Sequence, residues 1–253
     1  PNIREVLADN PTAAAATATP EGVRAFIPDI VASSGNPSTL FLRGDWLDSL
    51  GLEFPTTAEE FYEVLYAFRN DDPNGNGMRD EVPFGVLGLR TLLNSVGNAF
   101  GDGLNSQFHN GWRVNSSGQV EYAFVEENYR DFLTYVNRLY EDELIPREGY
   151  ISANDTRALA SNNALGGTSL GQGFFFNVDQ LSNEASGGVG YMVPGYPLVD
   201  ENGETRIISG STYQLQGAAI TSSAPYPDIA LRWMDFIWGT EEGRTLRIWG
   251  IEG

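Results

Sequence analysis

The stretch "RNDDPNGNGMRDEVP", residues 69–83, sets oxygen-bearing side chains at alternate positions: Asp72, Asn74, Asn76 and Asp80, with Gly75 and Gly77 among them. A calcium ion takes about six to eight oxygens at about 2.3–2.6 Å, supplied by a tightly turning backbone. With Asp72 as position 1, Asn74 is 3, Asn76 is 5, Gly77 is 6, Met78 is 7 and Asp80 is 9. That is the order of an EF-hand loop, in which Met78 offers only its carbonyl oxygen. Position 12, a Glu in an EF-hand, is here Pro83, and Glu81 at position 10 is the nearest carboxylate able to bind in bidentate fashion. The loop is therefore not an EF-hand, and no second helix need follow it. All its ligand positions come from one bend, which suits a structural Ca2+ rather than a catalytic metal. The alternative is a plain hydrophilic turn, because Asn-Gly and Asp-Pro favour turns.

Other chemistries find little footing. The chain has no Cys, which removes disulfides, thiolate metal sites and Cys nucleophiles together. Its one His, His109 in "SQFHNGW", excludes a multi-His metal centre and has no G-x-S-x-G elbow to serve. Neither a Walker A sequence nor a G-x-G-x-x-G between strand and helix is present. A glycosidase needs two carboxylates about 5–9 Å apart, and among 34 acidic residues some pair always qualifies, so abundance decides nothing. The residues read as a binder, not an enzyme. A secreted glycoside hydrolase and a calcium-stabilised surface adhesion module are the alternatives; dockerin-type modules carry two such loops, and one occurs here.

The bulk composition agrees. The 253 residues suffice for one large domain or two modest ones with a buried core. All 15 basic residues are Arg, against 34 acidic ones, giving a formal charge of -19. Such a field repels phosphate backbones and anionic lipids, leaving neutral ligands and cations as partners and excluding nucleic acid. No apolar run approaches the roughly 18 residues of a membrane span. No signal peptide opens the chain, and Pro1 followed by polar sequence reads as an interior cut.

The elements that must carry the loop follow from periodicity. "TAEEFYEVLYAFR" (57–69) is the clearest helix: Thr57 and Glu60 form a capping box, and Phe61, Val64, Leu65 and Phe68 make one apolar stripe. A second long helix is expected from about Glu126 to Leu144, with a stripe of Tyr129, Phe132, Leu133, Val136, Leu139 and Tyr140, stopped by Pro146. A last helix starts near Pro227 and is expected to bury Ile229, Trp233, Phe236 and Ile237; Trp46, Trp233 and Trp249 are read as core. Strands are expected at "STLFL" (38–42), "PFGVLGL" (83–89), within 161–173 ahead of "FFF", at "VGYMVPGYP" (189–197) and at "QGAAIT" (216–221), with a hairpin in "RVNSSGQVEY". An apolar segment runs from Thr91 to Phe100, and the low-complexity "NPTAAAATATPEG" (10–22) reads as a surface loop. Strands alternating with long helices indicate an α/β architecture.

Three stretches then resemble one family. "FLRGDWLDSLGLEFPTTAEEFYEVLYAFRNDDPNGNGMRDEVPFGV" is similar to the extracellular solute-binding proteins, family 1, that feed sugar-importing ABC transporters. Within them it is most like the lipoprotein subgroup that includes the alginate-binding proteins. "YRDFLTYVNRLYEDELIPRE" (129–148) and "PYPDIALRWMDFIWGTEEGRTLRIWGIEG" (225–253) follow in the family's order; the likeness is weak before Pro28 and through 150–215. In that subgroup the loop binds calcium at the positions held here by Asp72, Asn74, Asn76, Met78, Asp80 and Glu81. The resemblance implies a two-lobe α/β periplasmic-binding-protein-like (type II) fold, incomplete at both ends. Residues 38–205 would be a larger lobe carrying the calcium loop. Residues 1–37 and 206–253 would be part of a second lobe, with the hinge crossings.

The implied function is the extracytoplasmic, solute-binding component of an ABC importer, which holds an oligosaccharide in an interlobe cleft and docks on permease subunits. The protein would be a monomer at the cell envelope, held there only through a lipid anchor absent from this chain. Sugar sites pair aromatic faces with planar polar groups, and ligands of open α/β sheets sit at the carboxyl ends of strands. Those rules select Gln172, Phe174 and Phe175 after the Gly-rich run, Arg90 and Thr91 after "FGVLGL", and Asn36 before "STLFL". Trp112 and Tyr213 are further aromatic candidates. Burial in the core is the competing role for each Phe, and Trp112 also suits a hairpin cap. Arg43 and Asp45 either touch ligand or form a local ion pair.

Overall fold

The structure is a computed structural model that describes residues 2–19, 21–22, 24, 26–28, 39–101, 104, 111–115, 117–148, 150–170, 172–195, 197–200, 202–204 and 217–251. The chain divides into two compact units, one of Pro1–Gly35 with Ser211–Gly253 and one of Asn36–Gly210.

The first unit opens with α1 (Asn2–Asp9) and α2 (Pro11–Ala16), followed by β1 (Ile27–Pro28). The expected loop over 10–22 is thus helical in its first half. Pro11 occupies the first helical turn, where its fixed φ and missing N–H cost nothing, and the alanines after it are the strongest helix formers.

The second unit holds β2 (Thr39–Arg43), α3 (Gly44–Leu50), α4 (Ala58–Asn70), α5 (Leu89–Ser95), β3 (Trp112–Val114), β4 (Val120–Tyr122), α6 (Glu127–Glu141), α7 (Ala153–Ser161), β5 (Gly167–Leu170), α8 (Gln172–Ala185) and β6 (Met192–Pro194). Its sheet has the order β5-β2-β6, with β2 antiparallel to both neighbours. The segment expected as a strand over 83–89 meets β5 in parallel only through Gly85 with Thr168, after a bridge of Val82 with Leu165 just before it. Pro83 has no N–H to give a ladder, and Gly88 at φ 144° turns the chain into α5. The expected hairpin forms as β3–β4, with Trp112 opposite Tyr122.

The capping box of α4 is present in both directions, and its stripe of Phe61, Val64, Leu65 and Phe68 is buried against Trp46 and Phe84. Along α6 the stripe is rotated from expectation. Phe132, Tyr135 and Leu139 are buried, while Leu133 and Tyr140 are exposed. Tyr135 Oη donates to Ala58 O at 2.6 Å, so a polar-tipped ring suits that interior position. Helices α7 and α8 are not among the elements expected from the sequence. Ser152 and Asp155 cap α7 as a box, and α8 lays Phe174, Phe175, Val178 and Leu181 on a second cluster with Phe41 and Met192.

The chain re-enters the first unit with β7 (Gly217–Ala218), α9 (Pro227–Gly239) and α10 (Glu241–Trp249). β7 pairs with β1, and Asp235 of α9 accepts from the backbone N–H of Ile3 at 2.9 Å. Here the core reading of the sequence is corrected: α9 buries Met234 and Ile237, whereas Ile229 and Trp233 are exposed, as is Trp249 of α10. The faces of α9 are chosen by α1 and α10, its packing partners, and periodicity alone does not say which side they take.

Candidate functional site

The 69–83 stretch leaves the last turn of α4 and folds into one tight bend before Val82 bridges to Leu165. Asp72 (φ 47°), Gly75 (φ 68°) and Gly77 (φ 73°) take left-handed backbone. Asp is among the few side-chain-bearing residue types that tolerate that region, and Gly does so freely. The side-chain oxygens organise the bend from within. Asp72 accepts from the backbone N–H of Asn76 (3.1 Å) and of Gly77 (2.9 Å). Asn74 Oδ1 also accepts from Asn76 N at 3.0 Å, and Asn76 Oδ1 from Met78 N at 2.7 Å. The Asp80 carboxylate is met by Asn76 Nδ2 at 3.0 Å and Asn74 Nδ2 at 3.4 Å. Rotating either amide about its last bond exchanges nitrogen for oxygen, so these side chains can face Asp80 or a cation.

Glu81 closes the bend and differs from the rest. Its side chain is 1% exposed, and Oε1 has no hydrogen-bond partner. Burial, with the carboxylates of Asp80 and Asp72 nearby, pushes its pKa up. A buried, unpartnered carboxylate oxygen next to two further carboxylates is costly unless a cation joins them, so the donor set fits a hard divalent ion. No three His, Cys, Asp or Glu side chains among the described residues already converge as a metal cluster, so the fit relies on amide and carbonyl oxygens as well.

Three contacts from outside the motif hold the bend. Asn74 Nδ2 donates to Asn163 O at 3.1 Å, and Ser49 Oγ to Pro73 O at 3.4 Å. Arg69 Nη1 donates to Glu81 O at 2.7 Å and its Nη2 to Glu143 Oε2 at 2.7 Å. Arg147 donates to the other Glu143 oxygen, and Arg69 with Arg147 holds the Glu143 carboxyl down at a pKa of about 2. Nothing in the local spacing marks Arg69 beyond its place in the last turn of α4.

The sugar-site candidates fall on separate elements. Thr91 is half-buried on α5, and Trp112 on β3 is 55% exposed, its ring 4.8 Å from that of Tyr122. Phe174 and Phe175 lie in the first turn of α8, not in a turn after a strand. Phe175 stacks on Phe41 at 4.4 Å, and the Arg157 guanidinium lies 4.4 Å from the Phe174 ring. Both rings therefore have protein partners. The backbones of Arg90 and Gln172 belong to α5 and α8, while their side chains, with Asn36, His109 and Tyr213, lie outside the described residues. Arg43 is fully buried and doubly bonded to Asp45, Nε at 2.8 Å and Nη2 at 2.6 Å, which is the local ion pair.

No protein-family model matches the chain. It is 30% identical over 165 residues to the fructooligosaccharide ABC transporter substrate-binding protein FusA of Streptococcus pneumoniae, an overlap covering 59% of this chain and 29% of FusA. The solved structure of FusA in complex with kestose superposes on all of this chain with a TM-score of 0.74 at 25% identity. The chain is a homologue of sugar ABC transporter substrate-binding proteins. A second relative is lipoprotein LipO of Bacillus subtilis, 34% identical over 111 residues, 43% of this chain and 21% of LipO. The alginate-binding protein AlgQ2, solved without calcium ion, shares the fold with a TM-score of 0.75 at 23% identity, over all of this chain and 51% of AlgQ2. The fold is therefore the α/β, periplasmic-binding-protein-like one expected from the sequence. The homologue spans about half the length of the solved relatives it matches. FusA and AlgQ2 are binding proteins, not enzymes. No helix among the described residues is long and apolar enough to cross a membrane.

Proposed function

We propose that this chain serves as part of the extracytoplasmic solute-binding component of an ABC importer, takes an oligosaccharide as ligand, and carries one structural Ca2+ in the 72–81 bend. Its working partners are then permease subunits, and its place is the cell envelope. Residues 38–205 act as the larger lobe with the ion, and residues 1–37 and 206–253 as part of the second. The likeness to FusA, a fructooligosaccharide-binding protein, is the observation that carries the transport reading. The calcium reading is supported by the buried, unpartnered Glu81 oxygen. The forms in which relatives were solved also support it: an EF-hand mutant of FusA with fructo-nystose, and AlgQ2 without calcium ion. Asp72, Asn74, Asn76, Met78 (by its carbonyl), Asp80 and Glu81 would hold the ion. Trp112 is the strongest sugar contact, because more than half of its surface is free while its other side rests on Tyr122.

Isothermal titration with kestose, alginate oligosaccharides and galacturonan oligosaccharides, each with and without chelator, tests this. One panel member is expected to saturate the protein at a single site. The Trp112→Ala variant is expected to lose roughly 0.5–1.5 kcal/mol of that affinity, the worth of an aromatic face contact. Release of reducing ends with no binding isotherm would replace the reading with a hydrolase.

A further inference from the structure

Resting on the calcium reading above, we propose that Arg69, braced by Glu143 and Arg147, is the positioning residue that sets the calcium affinity of the bend. The carboxylate of Glu81 is aimed by its backbone, and two bonds fix that backbone. Arg69 Nη1 donates to Glu81 O at 2.7 Å on one side, and Val82 N donates to Ala164 O at 2.8 Å on the other. Glu81 therefore keeps only side-chain rotation, and its buried carboxylate has little orientational freedom left to lose on binding.

Arg69 is in turn held in place. Nη2 donates to Glu143 Oε2 at 2.7 Å, and Arg147 donates to the other Glu143 oxygen. Glu143 sits at φ 59° just after α6, its backbone N–H donating to Tyr140 O at 3.2 Å. A left-handed Glu costs energy, and here it turns a carboxylate of the α6 end toward the α4 end. The three side chains line a cavity of about 510 Å3 together with Glu81, Asp155 and Asn162, and of these Glu81 is the one buried from solvent. The brace can then be altered without emptying the core.

Two physical effects oppose each other at Arg69, and this makes the inference testable by sign. As a charge, a guanidinium near the bend repels a cation, so its removal would tighten calcium binding. As a brace it pre-orients Glu81, so its removal loosens binding; losing partners that orient metal ligands typically costs about 10–100-fold in affinity. We measure calcium affinity alone, by titration calorimetry with calcium chloride, and the melting temperature in chelator. Arg69→Gln is expected to weaken calcium binding at least tenfold. Arg69→Lys, which keeps the charge but cannot span Glu81 O and Glu143 at once, is expected to weaken it as well. Glu143→Gln is expected to weaken it less and to leave the metal-free melting temperature closest to the parent, and it decides by the same criterion if the Arg69 variants do not fold. Equal or tighter binding in these variants, with calcium still bound by the parent chain, overturns the brace and leaves the calcium site standing. A parent chain that binds no calcium overturns both.

Discussion

Glu81→Gln tests the calcium bend most directly, because its effect on stability should depend on the ion. In chelator the parent chain buries a carboxylate that is 1% exposed and has an oxygen without a partner. A buried group left unsatisfied costs about 1–3 kcal/mol, and more when charged. The glutamine removes the charge and keeps the shape, so the metal-free variant should be the more stable by about 1–3 kcal/mol. At roughly 2–4 °C per kcal/mol for a unit of this size, its melting temperature should rise by about 2–12 °C. In calcium at about a hundred times the dissociation constant, the parent gains about 2.7 kcal/mol. The variant, lacking its bidentate ligand, loses most of that gain, so its advantage over the parent falls by about 2 kcal/mol. Calorimetric melting of both proteins in chelator and in calcium reads all four values. If the glutamine lowers the melting temperature by the same amount in both conditions, Glu81 is an ordinary core residue and the bend is no ion site.

Two further outcomes follow from packing and charge. A methyl group added at Gly166 would lie 2.7 Å from Phe68 Cδ2 and from Pro83 O, and 2.9 Å from Trp46 Cζ3, with backbone on one side and packed rings on the other. Gly166→Ala should lose about 1–3 kcal/mol or more, seen as a lower urea midpoint; an unchanged midpoint would mean that the β5 end of the sheet is loosely packed. Glu143 has its folded pKa depressed from 4.5 to about 2 by Arg69 first and Arg147 second. A depressed carboxylate contributes stability above its unfolded pKa and loses it as pH falls through the folded one. In chelator, then, the stability difference between the parent and Glu143→Gln should be constant above about pH 5 and shrink toward pH 2; a difference flat across that window would show that the two arginines do not hold Glu143.

What the sequence could reveal divides by range. The capping box of α4 lies within four residues, and the bend within ten, so both are legible: a Thr, a Glu and a run of Asn, Asp and Gly dictate their own local geometry. Helix α8 is written in the apolar spacing at 174, 175, 178 and 181, but the run "FFF" beside glycines has strand propensity and obscures it. The face of α9 is legible only in part: Ile237 is buried as its spacing predicts, while Ile229 and Trp233 are exposed. Ile229 and Trp233 have helical spacing, but α1 and α10 pack on α9, and Met234 and Ile237 are the residues it buries.

The same division runs through the candidate site. Every donor proposed for the ion is contiguous, yet what aims the last of them is distant: Glu143 is 74 residues from Arg69, and Asn163 is 89 from Asn74. A contiguous donor set shows which ion can bind, because coordination chemistry depends on donor type and spacing. How tightly it binds depends on how much freedom the donors lose on binding, and that is fixed by contacts from other elements. Two chains with an identical bend but different residues at 69 and 143 should therefore hold the same ion with different affinities, while two chains that share the brace but lack Glu81 should hold none.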